Sequence, residues 1–196
     1  MAGRAGVGPR TDSSSPSGLS GELTWRDAEK SDRPALEQFT CTGPAPKGPN
    51  HRPLPHPRPW EQEAQTGIRT RKPPGATRDI YRVGTTADGT IVAVAVAGTL
   101  DEPSYTNTYK LMVLAVATSV RGAGGEVADA CMRDVLGQIG HRARADGLAA
   151  VLVLSQVDPH NEPSRSMCQR HEFTSAGVRG DYEVWIRHIA IEPLRA

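Results

Sequence analysis

Residues 110–126 read KLMVLAVATSVRGAGGE, and the changes of character along this stretch decide how the chain folds. Leu111 to Ala117 is an unbroken apolar run bounded by polar residues, which predicts a buried strand. Thr118-Ser119-Val120 and Arg121-Gly122-Ala123-Gly124-Gly125 follow, and beyond Gly124 the apolar residues Ala128, Cys131, Val135 and Ile139 share one helical face. A strand therefore delivers a glycine-rich turn to the start of a helix. Backbone N–H groups at such a turn lack partners and the helix dipole adds partial positive charge, so the natural guest is a phosphate or pyrophosphate. Gly122 and Gly124 put no side chain between a ligand and the backbone, and Arg121 adds a cation beside them. R-G-x-G also punctuates ordinary loops, so the rest of the chain has to decide between the two readings.

The turn is not a Walker loop, because no Gly-Lys-Ser/Thr follows, and no acidic residue stands where a dinucleotide fold needs one. Downstream, a second apolar strand, Ala149 to Leu154, precedes Asn161-Glu162-Pro163-Ser164, Met167-Cys168 and Phe173. Together, L-A-V-x(4)-R-G-x-G and N-x-x-S-x-x-M-C-x-x-x-x-F resemble the GCN5-related N-acetyltransferase (GNAT) superfamily over Leu111 to Phe173. The resemblance implies an α/β fold: a mixed, twisted sheet of about six to seven strands flanked by helices and splayed between the fourth and fifth. It also implies acetyl-coenzyme A as acyl donor. The pyrophosphate would rest on the amides of Arg121, Gly122, Ala123, Gly124, Gly125 and Glu126, with Leu114 and Val116 aligning the pantetheine and Asn161 and Ser164 bordering it. The Val116 amide would polarise the thioester oxygen; one preorganised donor of that kind contributes about 3–4 kcal/mol.

The chain of 196 residues is long enough for one domain with tails. Its net charge of +1 offers no global attraction for nucleic acid or membrane, and neither partner is expected. No run reaches membrane-spanning length and the start shows no signal peptide, so a cytoplasmic protein is expected. Cys41, Cys131 and Cys168 lack metal-ligand spacing and suit reduced thiols; no metal is expected. Whether two copies pair as a homodimer stays open.

From the beginning, Met1 to Gly21 has almost nothing to bury and is expected to be a disordered tail, leaving 22–196 as a single acetyltransferase domain. Glu22 to Arg26 predicts a strand, and Asp32 offers an N-cap oxygen to a short helix carrying Leu36 and Phe39. The Pro-rich loop 43–59 predicts neither helix nor ladder. Trp60, Ala64 and Ile68 then recur at helical spacing. Lys47, Arg52, Arg58, Arg69, Arg71, Lys72 and Arg78 make this region basic, either as a solvated face or as a surface that selects an acidic acceptor or touches cofactor phosphates. Asp79 to Val83 and Thr90 to Ala97 predict a hairpin around Asp88-Gly89. Asn161 predicts a helix cap, and Phe173 to Val178 with Tyr182 to Ile191 predict a closing antiparallel pair.

Transfer to an amine requires the neutral form. A lysine side chain near pKa 10.4 loses its proton at neutral pH at a cost of about 4–5 kcal/mol, and an α-amine near 7.8 at about 1. Candidate bases are Asp101, Glu102 and His160. The resemblance places a proton donor for the leaving thiolate at Cys168, where the superfamily often has tyrosine; the alternative is a small core residue. Glu126 stands where the phosphate loop usually ends in Gly or Ala, and Glu172 replaces a usual glycine, at a cost of about 1 kcal/mol if its backbone is left-handed. Two functions follow: an N-acetyltransferase acting on a small-molecule or protein amine, or a catalytically silent acyl-CoA sensor or interaction module.

Overall fold

The computed structural model describes residues 22–73, 79–100, 107–122 and 125–192. The expected tail, Arg78, Asp101, Glu102, Ala123 and Gly124 lie outside the described residues. Strands β1 (Thr24–Asp27), β2 (Ile80–Thr85), β3 (Ile91–Thr99), β4 (Thr108–Val116), β5 (Ala150–Val157), β6 (Thr174–Arg179) and β7 (Tyr182–Ala190) form one sheet in the order β1-β2-β3-β4-β5-β7-β6. Helices α1 (Arg33–Gln38) and α2 (Pro59–Thr70) cover one face; α3 (Glu126–Ala145) and α4 (Glu162–Arg170) belong to the other. All pairings are antiparallel except β4 with β5. Among the described residues no helix is long and apolar enough to cross a membrane.

Each face has its own core. Cys131, Met132, Val135 and Ile139 of α3 are fully buried against Ala93, Ala95 and Val153. Leu36 of α1 and Ile68 of α2 are equally buried against Val83, Val94 and Val96. A fully buried aliphatic side chain of this size stabilises by about 1.5–3 kcal/mol, so these two stripes hold the layers together. Arg82 of β2 threads between elements: it gives a bidentate pair of hydrogen bonds to Asp134 of α3 at 2.7 and 3.0 Å and one to Asp27 at 3.0 Å. Burial alone would favour its neutral form, but the two carboxylates outweigh this and hold its pKa above the usual arginine value.

The two strands of the parallel pair, β4 and β5, part company quickly. Residues Thr108 to Leu111 pair with Leu152 to Ser155, and there the β4–β5 ladder ends. Beyond it β4 continues along β3 to Val116, while β5 continues along β7 to Val157. A wedge opens between them. A bulge in β4 sets what faces this wedge: Val96 pairs with Val113 but Ala97 with Leu111, so Met112 is the extra residue. Tyr109 and Leu111 lie in one core and Ala115 and Ala117 in the other, so residues of the same parity change faces across the bulge. Edge groups change sides as well. Asn107 offers its carbonyl to Leu152 of β5 at 3.0 Å, whereas Ala117 donates to Val92 of β3 at 2.8 Å. Because alternate residues point to opposite edges, the backbone groups of Leu114 and Val116 face the wedge.

Three local expectations need correction. Asp32 sits at the N-cap of α1 but caps nothing there: its carboxylate turns back to Arg26 at 2.6 and 2.7 Å and to the Glu29 amide at 2.8 Å, a cation outbidding a neutral first-turn donor. The Pro-rich loop is not wholly extended. Pro49–His51 form a 3-10 turn, and Gly48 donates to the Arg52 carbonyl and Leu54 to the Pro46 carbonyl, at 2.8 and 2.9 Å, closing a small hairpin that prolines permit because they sit where no donor is used. The first strand begins at Thr24 and ends at Asp27, later than expected, since its register is fixed by pairing with Thr85 to Arg82. The hairpin turn holds Gly89 at φ +83°, and Glu172 does adopt the left-handed backbone, at φ +59°.

Candidate functional site

The glycine turn lies between β4 and α3. Thr118–Val120 make a 3-10 turn, Gly122 has φ +105°, and Gly125 stands at the N-cap of α3 with φ +89°. A Cβ on Gly122 would meet nothing within 4 Å, so its backbone angle and not its space calls for glycine. With glycine at the cap, no cap side chain is there to accept from the first-turn amides of α3. Glu126 is the first helical residue and is exposed.

Arg121 does not stand free beside this turn. Its Nη1 donates to Glu61 of α2 at 2.8 Å and its Nε to the Val116 carbonyl at 3.4 Å. Glu61 also accepts from the Thr42 hydroxyl at 2.9 Å and from Arg58 at 3.3 Å. Burial alone would raise the Glu61 pKa, but these donors together hold it below the usual carboxylate value. A second cation reaches the turn from α4: Arg170 Nη2 lies 3.5 Å from where a Cβ on Gly125 would sit. Asp129 of α3 fixes it through contacts of 3.2 and 2.8 Å, and also contacts His171 Nε2 at 3.1 Å.

A groove of 740 Å³ runs from this turn to the wedge. Leu114, Val116, Arg121, Gly122, Gly125, Glu126, Asn161 and Ser164 all line it, so the structure brings together every described residue expected to touch a cofactor. Asn161 caps α4, its Oδ1 accepting from the Ser164 amide at 3.3 Å. Cys168 lies outside this groove and is among the residues lining a second cavity. It is 1% exposed in the core, and burial pushes its thiol up to about 11. His160 is exposed and contacts Asp158 at 3.0 Å.

On the far side of the wedge lies a second cavity of 480 Å³, which shares Trp60, Leu114, Asn161 and Ser164 with the groove. Its floor and rim carry groups that no sequence motif marked. Tyr182 donates its hydroxyl to Glu63 of α2 at 3.3 Å, with Asp158 lining the same end. Glu63 is the largest cause holding the Tyr182 phenol above its usual pKa. Lys110 donates to Gln156 of β5 at 2.7 Å, and Arg71 lies at the same rim. Lys110 had a signal: it is a lone charge inside an apolar strand. Of the basic segment, Arg58 and Arg71 reach the two cavities, Arg69 is spent on the Phe39 carbonyl at 2.9 Å, and Arg52 and Lys72 are exposed.

No family model matches the chain, and no curated protein matches it in sequence. Solved structures do match in fold. The PaiA N-acetyltransferase of Thermoplasma acidophilum, solved with coenzyme A, has a TM-score of 0.57 at 9% identity, covering 85% of this chain and 99% of that one. A GCN5-related N-acetyltransferase from Kribbella flavida gives 0.55 at 20% identity over 86% and 98%. The ribosomal-protein-S18-alanine N-acetyltransferase of Escherichia coli gives 0.53 at 17% identity over 89% and 97%. The chain thus has the fold of the GNAT acetyltransferases.

Proposed function

We propose that this protein is an acetyl-CoA-dependent N-acetyltransferase that modifies a primary amine. One observation carries the reading: the groove that starts at the uncapped amides of α3 ends in a wedge where the strand-edge groups of Leu114 and Val116 are turned inward by the Met112 bulge. An elongated diphosphate ligand with an acyl end fits this sequence of donors. Acetyl-CoA would supply the activated thioester; the amine lone pair forms the new N–C bond, the C–S bond breaks, and an amide and the coenzyme A thiol result.

The residues divide the work along the groove. First-turn amides of α3 and the guanidinium of Arg170 hold the diphosphate, and Arg121 joins them when it leaves Glu61. Val116 carries the amide that opposes developing negative charge on the acyl oxygen, and the Leu114 backbone aligns the ligand's amide chain as an added strand would. Glu63 lines the second cavity and takes the proton released when the ammonium becomes an amine. Cys168 is a packing residue in this reading. A donor near 11 would protonate a thiolate whose conjugate acid is near 8.5 only uphill, by about 3 kcal/mol, whereas at neutral pH, below 8.5, the thiolate gains its proton from solution spontaneously or takes the one the acylated nitrogen releases.

Isothermal titration with acetyl-CoA, followed by free-thiol release across an amine panel, tests the proposal. Binding with amine-dependent thiol release is expected. Absence of binding at hundreds of micromolar overturns it, and tight binding with no turnover on any amine turns the assignment to an acyl-CoA sensor.

A further inference from the structure

The second cavity is polarised, and that polarity says what kind of amine belongs there. Among the described residues its charged lining groups are Glu63 and Asp158 at one end and Lys110 and Arg71 at the other. Lys110 is the informative member. It is half-buried on the central strand, and among the described residues its ammonium has a neutral amide, Gln156, as hydrogen-bond partner and no carboxylate in ion-pair contact. A partly desolvated cation held by a neutral partner is costly on its own and attracts an anion. Arg71 adds to the same end; its carboxylate neighbour Asp79 lies 3.7 Å away. At the other end Tyr182 and Asp158 flank Glu63, with Tyr182 brought level with Asp158 by the pairing of Val157 with Glu183.

The separation between the ends is short. Lys110 reaches the level of Gln156, and Gln156 and Asp158 are two residues apart, about 7 Å along an extended chain. We infer that the acceptor is a small zwitterion, an amino acid whose carboxylate docks on Lys110 and Arg71 while its amine faces Glu63, Asp158 and Tyr182. The inference rests on the acetyltransferase reading for the amine's fate but not for its binding. A polyamine or aminoglycoside would place a further cation against Lys110, and a protein lysine side chain brings no anion of its own to it.

The test pairs free amino acids with the amines that remain when the carboxylate is removed: leucine with isopentylamine, phenylalanine with phenethylamine. Binding to the full chain is read by calorimetry with coenzyme A present and, separately, without it, and kcat/KM is read by thiol release. A preference of tenfold or more for the amino acid of a pair is expected. Two variants should bring that ratio toward one while the Kd for acetyl-CoA stays unchanged: Lys110→Met, which removes the charge, and Gln156→Glu, which keeps the lysine but gives it a carboxylate. Amines that bind as well as their amino acids, or amino acids that do not bind at all, overturn the inference. So does an unaltered preference in both variants. Loss of acetyl-CoA binding in the unmodified chain, with amino-acid binding retained, sinks the acetyltransferase reading alone.

Discussion

Replacing Glu61 with glutamine should tighten the binding of acetyl-CoA, which is the opposite of what removing a groove residue ordinarily does. Arg121 is engaged by Glu61 at 2.8 Å, so a phosphate ligand has to compete for the guanidinium. The Coulomb energy of such a pair about 4 Å between charge centres is about 4 kcal/mol at an effective dielectric constant of 20. The Arg121 side chain is 36% exposed and Glu61 15%, so solvent screening brings the net worth down toward the measured range for accessible pairs, about 1 kcal/mol. Releasing Arg121 in the free protein therefore lowers the Kd about fivefold. Glutamine keeps an oxygen for the Thr42 hydroxyl, which Glu61 accepts at 2.9 Å, so the loop stays anchored. Calorimetric titration of both proteins at low salt, repeated at high salt where the difference should shrink, measures the effect. An unchanged or weaker affinity in a folded Glu61→Gln protein would refute the idea that Arg121 is held in reserve for phosphate.

Other expectations concern stability and pH. The Tyr81 hydroxyl is buried without a hydrogen-bond partner among the described residues, and burial pushes the phenol up to about 12, so Tyr81→Phe should stabilise the fold by about 1–3 kcal/mol in denaturant titration; a loss would show that the hydroxyl has a partner in solution. Cys168→Ala should lower the melting temperature and leave kcat within about twofold, against a fall of about a hundredfold or more if the thiol were the proton donor. Asp32 is held below the usual carboxylate pKa chiefly by its hydrogen bond from Arg26, and Asp129 chiefly by that from Arg170. Their folded values lie below the unfolded value of about 3.9, so their contribution is complete above that pH and is lost as pH falls through the folded values. Thermal midpoints should drop below about pH 4, and the drop should be shallower in Asp129→Asn.

What the sequence made legible is what periodicity and turn chemistry encode locally. The strand, glycine turn and helix from Leu111 onward, the Asp88-Gly89 hairpin and the Asn161 cap all appear where residue patterns put them. Less was readable where the decisive partner is distant or the departure small. No glycine or proline announces the extra residue at Met112, because a bulge in a central strand is fixed by its neighbours' registers. Arg121 looked like an unattached cation because Glu61 is far off in the chain and belongs to a different helix. Glu63, Lys110, Gln156 and Tyr182 of the second cavity come from α2, β4, β5 and β7, whose convergence depends on β7 inserting beside β5 and leaving β6 at the edge.

The short β4–β5 seam has a mechanical consequence. Strands β1 to β4 are tied to one another, and β5 to β7 likewise, but among the described residues the strand ladder that joins the two halves runs only from Thr108–Leu152 to Leu111–Ser155. Widening the mouth thus strains few cross-seam bonds and leaves both half-sheets whole. A guest that adds its own amides along β4 would act as a splint, completing a sheet that the polypeptide leaves unfinished, and the protein should be stiffer loaded than empty.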